Sequence, residues 1–175
     1  MKMKLQAMVH FSEEEKKILH ERAALLGQEL LQENTQTTQL EILEFKVDGE
    51  RYGVESSYVS QICLLKHLTF LPGVFNYVRG IINVHGCVIP VIDIKKLFDL
   101  TEKEMSAKNV IVLSYQDSIF GLLADNILGI WHIPPDEIQP GLPTLAGRQT
   151  EFLQGVTDTQ LTILDVHKLS TIPIS

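Results

Sequence analysis

Residues 80–93, "GIINVHGCVIPVID", contain the pattern from which the fold class can be predicted. Two apolar runs rich in β-branched residues, 81–84 and 87–92, flank the pair His85-Gly86. Glycine takes positive φ angles freely and histidine takes them at modest cost, so this pair predicts the turn of a β-hairpin. Pro90 has no N–H to donate, which predicts that its strand has an open edge or a bulge there.

The same pattern recurs three more times between residues 40 and 170. Apolar runs again flank short turns rich in Asp, Gly and Ser, and they pair 45–47 with 52–54, 110–115 with 119–123, and 152–156 with 161–164. Short strands joined by tight turns, with little helix between them, predict antiparallel β-barrels or a sandwich.

Two blocks of the sequence have counterparts later in the chain. Residues 45–59 align with 113–127, and residues 90–97 align with 162–169. Two similar blocks in the same order indicate an internal duplication. We therefore expect a mainly β protein built of two small barrel lobes, at about 42–107 and 108–170.

The first 39 residues follow a different pattern. Ser12 and Glu15 form a capping box, and apolar residues recur at helical spacing over residues 12–32, before the polar stretch 32–39. We expect an N-terminal helix and linker over 1–39 and a separate domain over 40–175. The helix could pack on the barrels or dock to a partner of its own.

Composition and charge exclude several classes of protein. The chain of 175 residues has a net charge of −7 and a pI near 5.3, which disfavours a sequence-independent hold on nucleic acid. No apolar run approaches the roughly 20 residues of a spanning helix, so we expect no direct membrane insertion. Lys2 and Lys4 precede no apolar segment of the signal-peptide kind, which favours a cytoplasmic location. In that reducing compartment Cys63 and Cys87, both in apolar strings, are expected to be buried thiols.

No set of residues has the spacing of a catalytic or metal site. The six histidines include no i, i+4 pair and no cysteine is spaced for zinc, so we expect no metal, no cofactor and no catalytic residue. Asp93 and Asp165 occupy equivalent positions in the repeat, and each is expected to cap the helical turn that follows. Trp131 is expected to pack in the core, with an interface anchor as the alternative.

Four motifs in order resemble the CheW family of chemosensory coupling proteins over roughly residues 42–170. They are "RYGVE" at 51–55, "LPGVFNYVRGIINVHGCVIPVIDIKKLF" at 71–98, "VIVLSYQDSIFGLLADNILGI" at 110–130 and "FLQGVTDTQLTILDVHKL" at 152–169. The resemblance implies a fold of two intertwined five-stranded, SH3-like β-barrel subdomains. It also implies a non-enzymatic adaptor that couples the cytoplasmic tip of a chemoreceptor to the regulatory domain of a CheA-type histidine kinase.

The resemblance also implies two sets of binding residues. Those at kinase-binding positions are Val59, Gln61, Arg79 and Gly80. Those at or near the receptor-binding groove are Asn83, His85, Gly86, Gly121, Ile127 and Ile130.

Two residues depart from the family pattern, and both departures remove charge. His85 stands where the family has arginine, and Gln61 stands where an acidic residue is usual. The alternative to a principal coupling protein is therefore an auxiliary one, in a surface-motility or second-messenger pathway with a divergent partner. A nucleic-acid-binding barrel is disfavoured by the charge, and a hydrolase would need a converging nucleophile and base.

Overall fold

The computed structural model describes residues 39–100, 107–140 and 148–175. The predicted helix and linker over 1–39 lie almost entirely outside these residues and stay predictions. The strands, in chain order, are β1 (Leu40–Val47), β2 (Glu50–Glu55), β3 (Val59–Leu64), β4 (Val78–Val84), β5 (Cys87–Ile92), β6 (Asn109–Tyr115), β7 (Ser118–Ala124), β8 (Asn126–Ile133), β9 (Ile138–Gln139), β10 (Leu153–Thr157) and β11 (Thr162–Leu164). The helical elements are α1 (Ile94–Leu97), α2 (Val166–Ser170) and 3-10 turns at Ser56–Tyr58, Pro135–Glu137 and Arg148–Phe152.

The strands form one sheet of six, in the order β8-β1-β2-β11-β10-β9, and one of five, in the order β3-β6-β7-β5-β4. The mainly β fold with few helices is confirmed. All four predicted hairpins are confirmed as antiparallel pairs: β1 with β2, β4 with β5, β6 with β7, and β10 with β11.

Each sheet contains strands from both halves of the chain. The β1–β2 hairpin pairs in parallel with β11, and the β6–β7 hairpin pairs in parallel with β5. The sheets therefore do not follow the expected lobe boundaries of 42–107 and 108–170. The repeated blocks explain the difference, because the hairpin of one block is completed by the strand of the other.

A glycine lies at each of the two parallel crossings. Gly53 is opposite Ile163, and Gly121 is opposite Val91. A Cβ on Gly53 would lie 2.5 Å from Ile42 Cγ2, and one on Gly121 would lie 2.6 Å from Val110 Cγ1. Both positions are buried, so a side chain there would displace β-branched neighbours that have little room to move.

The strands of the sheet interior are apolar on both faces because each face covers a different core. In β6, Ile111 and Leu113 join the large cluster shared by both sheets, while Val110 and Val112 join a smaller cluster of the five-stranded sheet. A third cluster, around Ile42, belongs to the six-stranded sheet. Near-continuous apolar runs are the expected signature of strands covered on both sides.

A buried lysine links the two sheets. Lys95 of α1 is 6% exposed, and its Nζ lies 4.0 Å from Asp48 Oδ1 and 3.9 Å from Asp125 Oδ2. The backbone N–H of Asp48 donates to Asp125 Oδ2 at 2.7 Å. Because Asp48 lies in the β1–β2 turn and Lys95 follows β5, this cluster joins the strand ends of both sheets.

The predicted caps are confirmed. Asp93 accepts a hydrogen bond from the N–H of Lys95 at 3.0 Å, and Asp165 accepts one from Lys168 at 3.1 Å. Pro90 lies in the part of β5 that pairs only with β4. The described pairing of β5 with β7 begins one residue later, at Val91. The proline therefore needs no donor on that side.

Two expectations about burial are wrong. Cys63 is only partly buried, and Cys87 is exposed because it lies beside the turn of the β4–β5 hairpin. Trp131 is 56% exposed rather than packed in the core. It belongs to β8, an edge strand whose only neighbour in the described sheet is β1.

We predict that Gly121→Ala lowers the free energy of unfolding by about 1–3 kcal/mol, the usual cost of overpacking a core. The added methyl group would press on Val110 at 2.6 Å. Urea denaturation measures the change, with Ser60→Ala, at an exposed position of β3, as the control. A loss no larger than that of the control would contradict the packing at the crossing.

Candidate protein-binding site

An open cleft lies between the two edge strands of the five-stranded sheet. Strands β3 and β4 are at opposite edges of the sheet, but the sheet curls so that both face one cleft of about 450 Å³. Its lining residues are Gln61, Cys63, Leu64, Lys66, His67, Ile82, Asn83, Val84 and His85. The cleft is therefore built from residues 82–85 of the sequence motif at 71–98, together with β3 and the residues directly after it.

The chain between β3 and β4 closes one end of this cleft. The N–H of Leu65 donates to the carbonyl of Lys108 at 2.9 Å, which continues the pairing of β3 with β6. Thr69 then pairs with Ile81 of β4 through two backbone hydrogen bonds of 2.8 and 2.9 Å. Gly80 makes this approach possible, since a Cβ there would overlap the carbonyl oxygen of Thr69.

The hairpin tip forms the open end of the cleft. His85 and Gly86 have φ angles of 51° and 88°, as a tight turn of this kind requires. Asn83 Oδ1 accepts the N–H of Gly86 at 2.9 Å and so holds the turn in place. All three residues are exposed, and the Asn83 amide N–H₂ keeps its capacity to donate.

The four residues at kinase-binding positions do not form one surface. Gln61 lines the cleft, while Val59 is partly buried against the shared core. Arg79 lies 3.7 Å from Asp93, the residue that caps α1, and Gly80 is buried. The structure thus brings Gln61 together with Asn83 and His85, which the resemblance placed in the receptor set.

The receptor set is also divided. Gly121 is buried at the parallel crossing, where it has no side chain to offer a partner. Ile127 packs against the shared core, and Ile130 is 56% exposed. Both isoleucines belong to β8 in the six-stranded sheet, whereas Asn83, His85 and Gly86 belong to the five-stranded one.

Several site residues could not be assigned from motifs. Leu64 is 63% exposed and Ile62 is 42% exposed on β3, and Lys66 and His67 line the cleft after that strand. The sequence signal that could have identified them is the run "QICLLKHL", residues 61–68. It begins in edge strand β3 and has apolar residues on both faces of that strand. Only the strand order shows that one of these faces is uncovered.

The cleft has one lysine ammonium, two imidazoles and apolar walls. Lys66, His67 and His85 lie on its lining, and none of the described lining residues carries a carboxylate. Burial raises the pKa of the Cys63 thiol, which favours its protonated form. No cluster of three or more potential metal-ligating residues occurs among the described residues. Within the same residues no helix is long and apolar enough to span a membrane.

The sequence and the fold match known proteins. A family model described as the CheW-like domain matches residues 41–172. The chain is 27% identical over 139 residues to the chemotaxis protein CheW of Treponema pallidum, across 75% of this chain and 82% of that protein. It is 29% identical over 116 residues to protein PilI of Pseudomonas aeruginosa, across 64% of each.

A solved structure gives the same result. The crystal structure of the scaffolding protein TtCheW from Thermoanaerobacter tengcongensis superposes with a TM-score of 0.67 at 26% identity, and covers 77% of this chain and 94% of that one. The fold is that of a chemotaxis scaffold protein. The chain belongs to the CheW-like domain family, and its function is that of an adaptor in chemotaxis-type signal transduction.

We predict that Gly80→Ala destabilises the domain more than Gly73→Ala does, by about 1–3 kcal/mol, because its methyl group would overlap backbone that cannot yield. Gly73 is a matched control, since it also has a positive φ, of 80°, but faces open space. Thermal and urea unfolding of the two variants measure the difference. Equal destabilisation would show that the crossover at Thr69 does not depend on Gly80.

Proposed function

We propose that this protein couples the regulatory domain of a CheA-type histidine kinase to the cytoplasmic tip of a chemoreceptor, by binding both and without catalysing a reaction. This coupling would take place in the cytoplasm. The cleft supports this role, because edge strands β3 and β4 and the hairpin tip all line it. Family membership supports the coupling role.

On the kinase side, Gln61 is the proposed contact residue, together with the exposed apolar face of β3 at Ile62 and Leu64. Val59, half-buried behind them, would fix the position of the strand. Arg79 and Gly80 would act indirectly, the first through its ion pair with Asp93 and the second by admitting the Thr69 crossover.

On the receptor side, Asn83, His85 and Gly86 at the hairpin tip and Ile130 on β8 are the proposed contacts. Ile127 and Gly121 support these surfaces from the core side. Helix-in-groove docking uses apolar anchors with polar groups at the rim, which is the chemistry of these exposed residues. An apolar anchor at Ile130 would therefore suit a receptor helix.

A second candidate is an auxiliary adaptor with a divergent partner in a non-standard chemosensory pathway. Gln61 and His85, the two positions that lack the usual family charge, line the same cleft. A partner that pairs with charges at both positions would lose two contacts here. The similarity to a relative with a different name, protein PilI, is compatible with this candidate.

We predict that Leu64→Ala weakens binding of the kinase regulatory domain by about fivefold or more, and that Ile130→Ala weakens binding of the receptor tip to a similar extent. Truncating an exposed anchor removes apolar contact with the partner while leaving the core intact. Isothermal titration calorimetry with the kinase domain and receptor tip from the same organism measures both affinities.

The control for both variants is Ile119→Ala, at a β7 position that is 48% exposed and lies outside the cleft. It should leave both affinities unchanged. Failure of the wild-type protein to bind either partner would overturn the proposed function. Equal effects of all three variants would overturn the assignment of the two surfaces.

A further inference from the structure

The cleft carries the positive charge of Lys66 in a protein whose net charge is negative. The chain carries 22 acidic and 15 basic residues, a net charge of −7. The cleft nevertheless has Lys66 as the charged side chain on its lining, with no carboxylate among its described lining residues. A surface patch whose sign differs from that of the whole molecule selects partners by charge and steers their approach.

The polar side chains of the cleft can all donate hydrogen bonds. The ammonium of Lys66 donates only, and the amides of Gln61 and Asn83 can each donate through N–H₂. The Asn83 oxygen is already occupied by the N–H of Gly86 at 2.9 Å. An occupant rich in hydrogen-bond acceptors would therefore satisfy these groups. A cationic occupant would be repelled by the lysine and would find no carboxylate among the described lining residues.

The walls of the cleft are apolar. Leu64 is 63% exposed, and Ile82 and Val84 form the facing wall on β4. A volume of about 450 Å³ accommodates one or two side chains rather than a whole helix. The occupant consequently combines a small apolar anchor with acceptor groups at the rim.

We propose that the cleft binds an acidic polypeptide segment, which inserts an apolar side chain between β3 and β4 and sets carboxylates against Lys66 and the hairpin tip. This inference rests on the proposed docking function and names the chemistry of the partner at that surface. Gln61 is central, because a carboxylate at this position would face the occupant's own carboxylates, and the amide avoids that repulsion.

Two synthetic peptides test the charge preference directly. Both are 15-residue amphipathic helices with the same leucine face, and the polar face carries glutamate in one and lysine in the other. Chemical-shift titration of the ¹⁵N-labelled full chain measures affinity and location together. We expect the glutamate peptide to bind at least about threefold more tightly, with shifts at residues 61–67 and 82–86. Net charge alone would favour the lysine peptide, so this result is diagnostic.

Variants give the second arm of the test. Gln61→Glu and Lys66→Glu should each weaken the glutamate peptide by about two- to fivefold at low salt, and raised salt should reduce the differences. Gln154→Glu, at an exposed position on β10 in the other sheet, is the matched control for an added charge and should change nothing.

Tighter binding of the lysine peptide, stronger glutamate-peptide binding by Gln61→Glu, or shifts away from the cleft with both peptides would each overturn the inference. Failure of the proposed function looks different, because the kinase domain and receptor tip would then not bind the wild-type protein at all. If Gln61→Glu improves binding of the kinase domain, the proposed function stays intact and only the inference of an acidic partner is overturned.

Discussion

The architecture depends on two parallel crossings at which a glycine of one repeat meets a β-branched residue of the other. Gly53 opposite Ile163 and Gly121 opposite Val91 allow strands from different halves of the chain to lie in one sheet. The equivalence of the two crossings follows from the internal repeat, which aligns Gly53 with Gly121. Side chains at these glycines would push apart the cores that hold the sheets together.

This interweaving decides which parts of the molecule remain open. Strands β1, β2, β5, β6, β7, β10 and β11 each have two neighbours in the described sheets, which leaves β3, β4, β8 and β9 as edges. An open edge offers unpaired backbone groups and side chains that the core does not cover. The cleft between β3 and β4, and the exposed Ile130 on β8, are therefore consequences of the topology. An adaptor needs such surfaces and no catalytic group.

Local sequence patterns predicted the local structure well. Hairpins, the turn at His85-Gly86 and the caps at Asp93 and Asp165 depend on neighbouring residues, so spacing and residue type suffice for them. The pairing of β5 with β7 and of β11 with β2 joins residues far apart in sequence, and alternation within a strand carries no information about its partner. For the same reason the exposure of Trp131 and Leu64 could not be predicted, because an edge strand and an interior strand can have the same apolar sequence pattern. The family motifs named Gln61 and His85, and only the structure shows that they share one cleft.

The kinase is proposed to bind at β3, an open edge of the five-stranded sheet. The most direct measurement is backbone amide NMR of the full chain, titrated with the kinase regulatory domain. We predict that the largest shifts fall on β3 at residues 61–64, while the amides at Gly53 and Ile163 in the other sheet stay unchanged. Shifts concentrated on β9 and β10, with none at Gln61, would contradict this assignment.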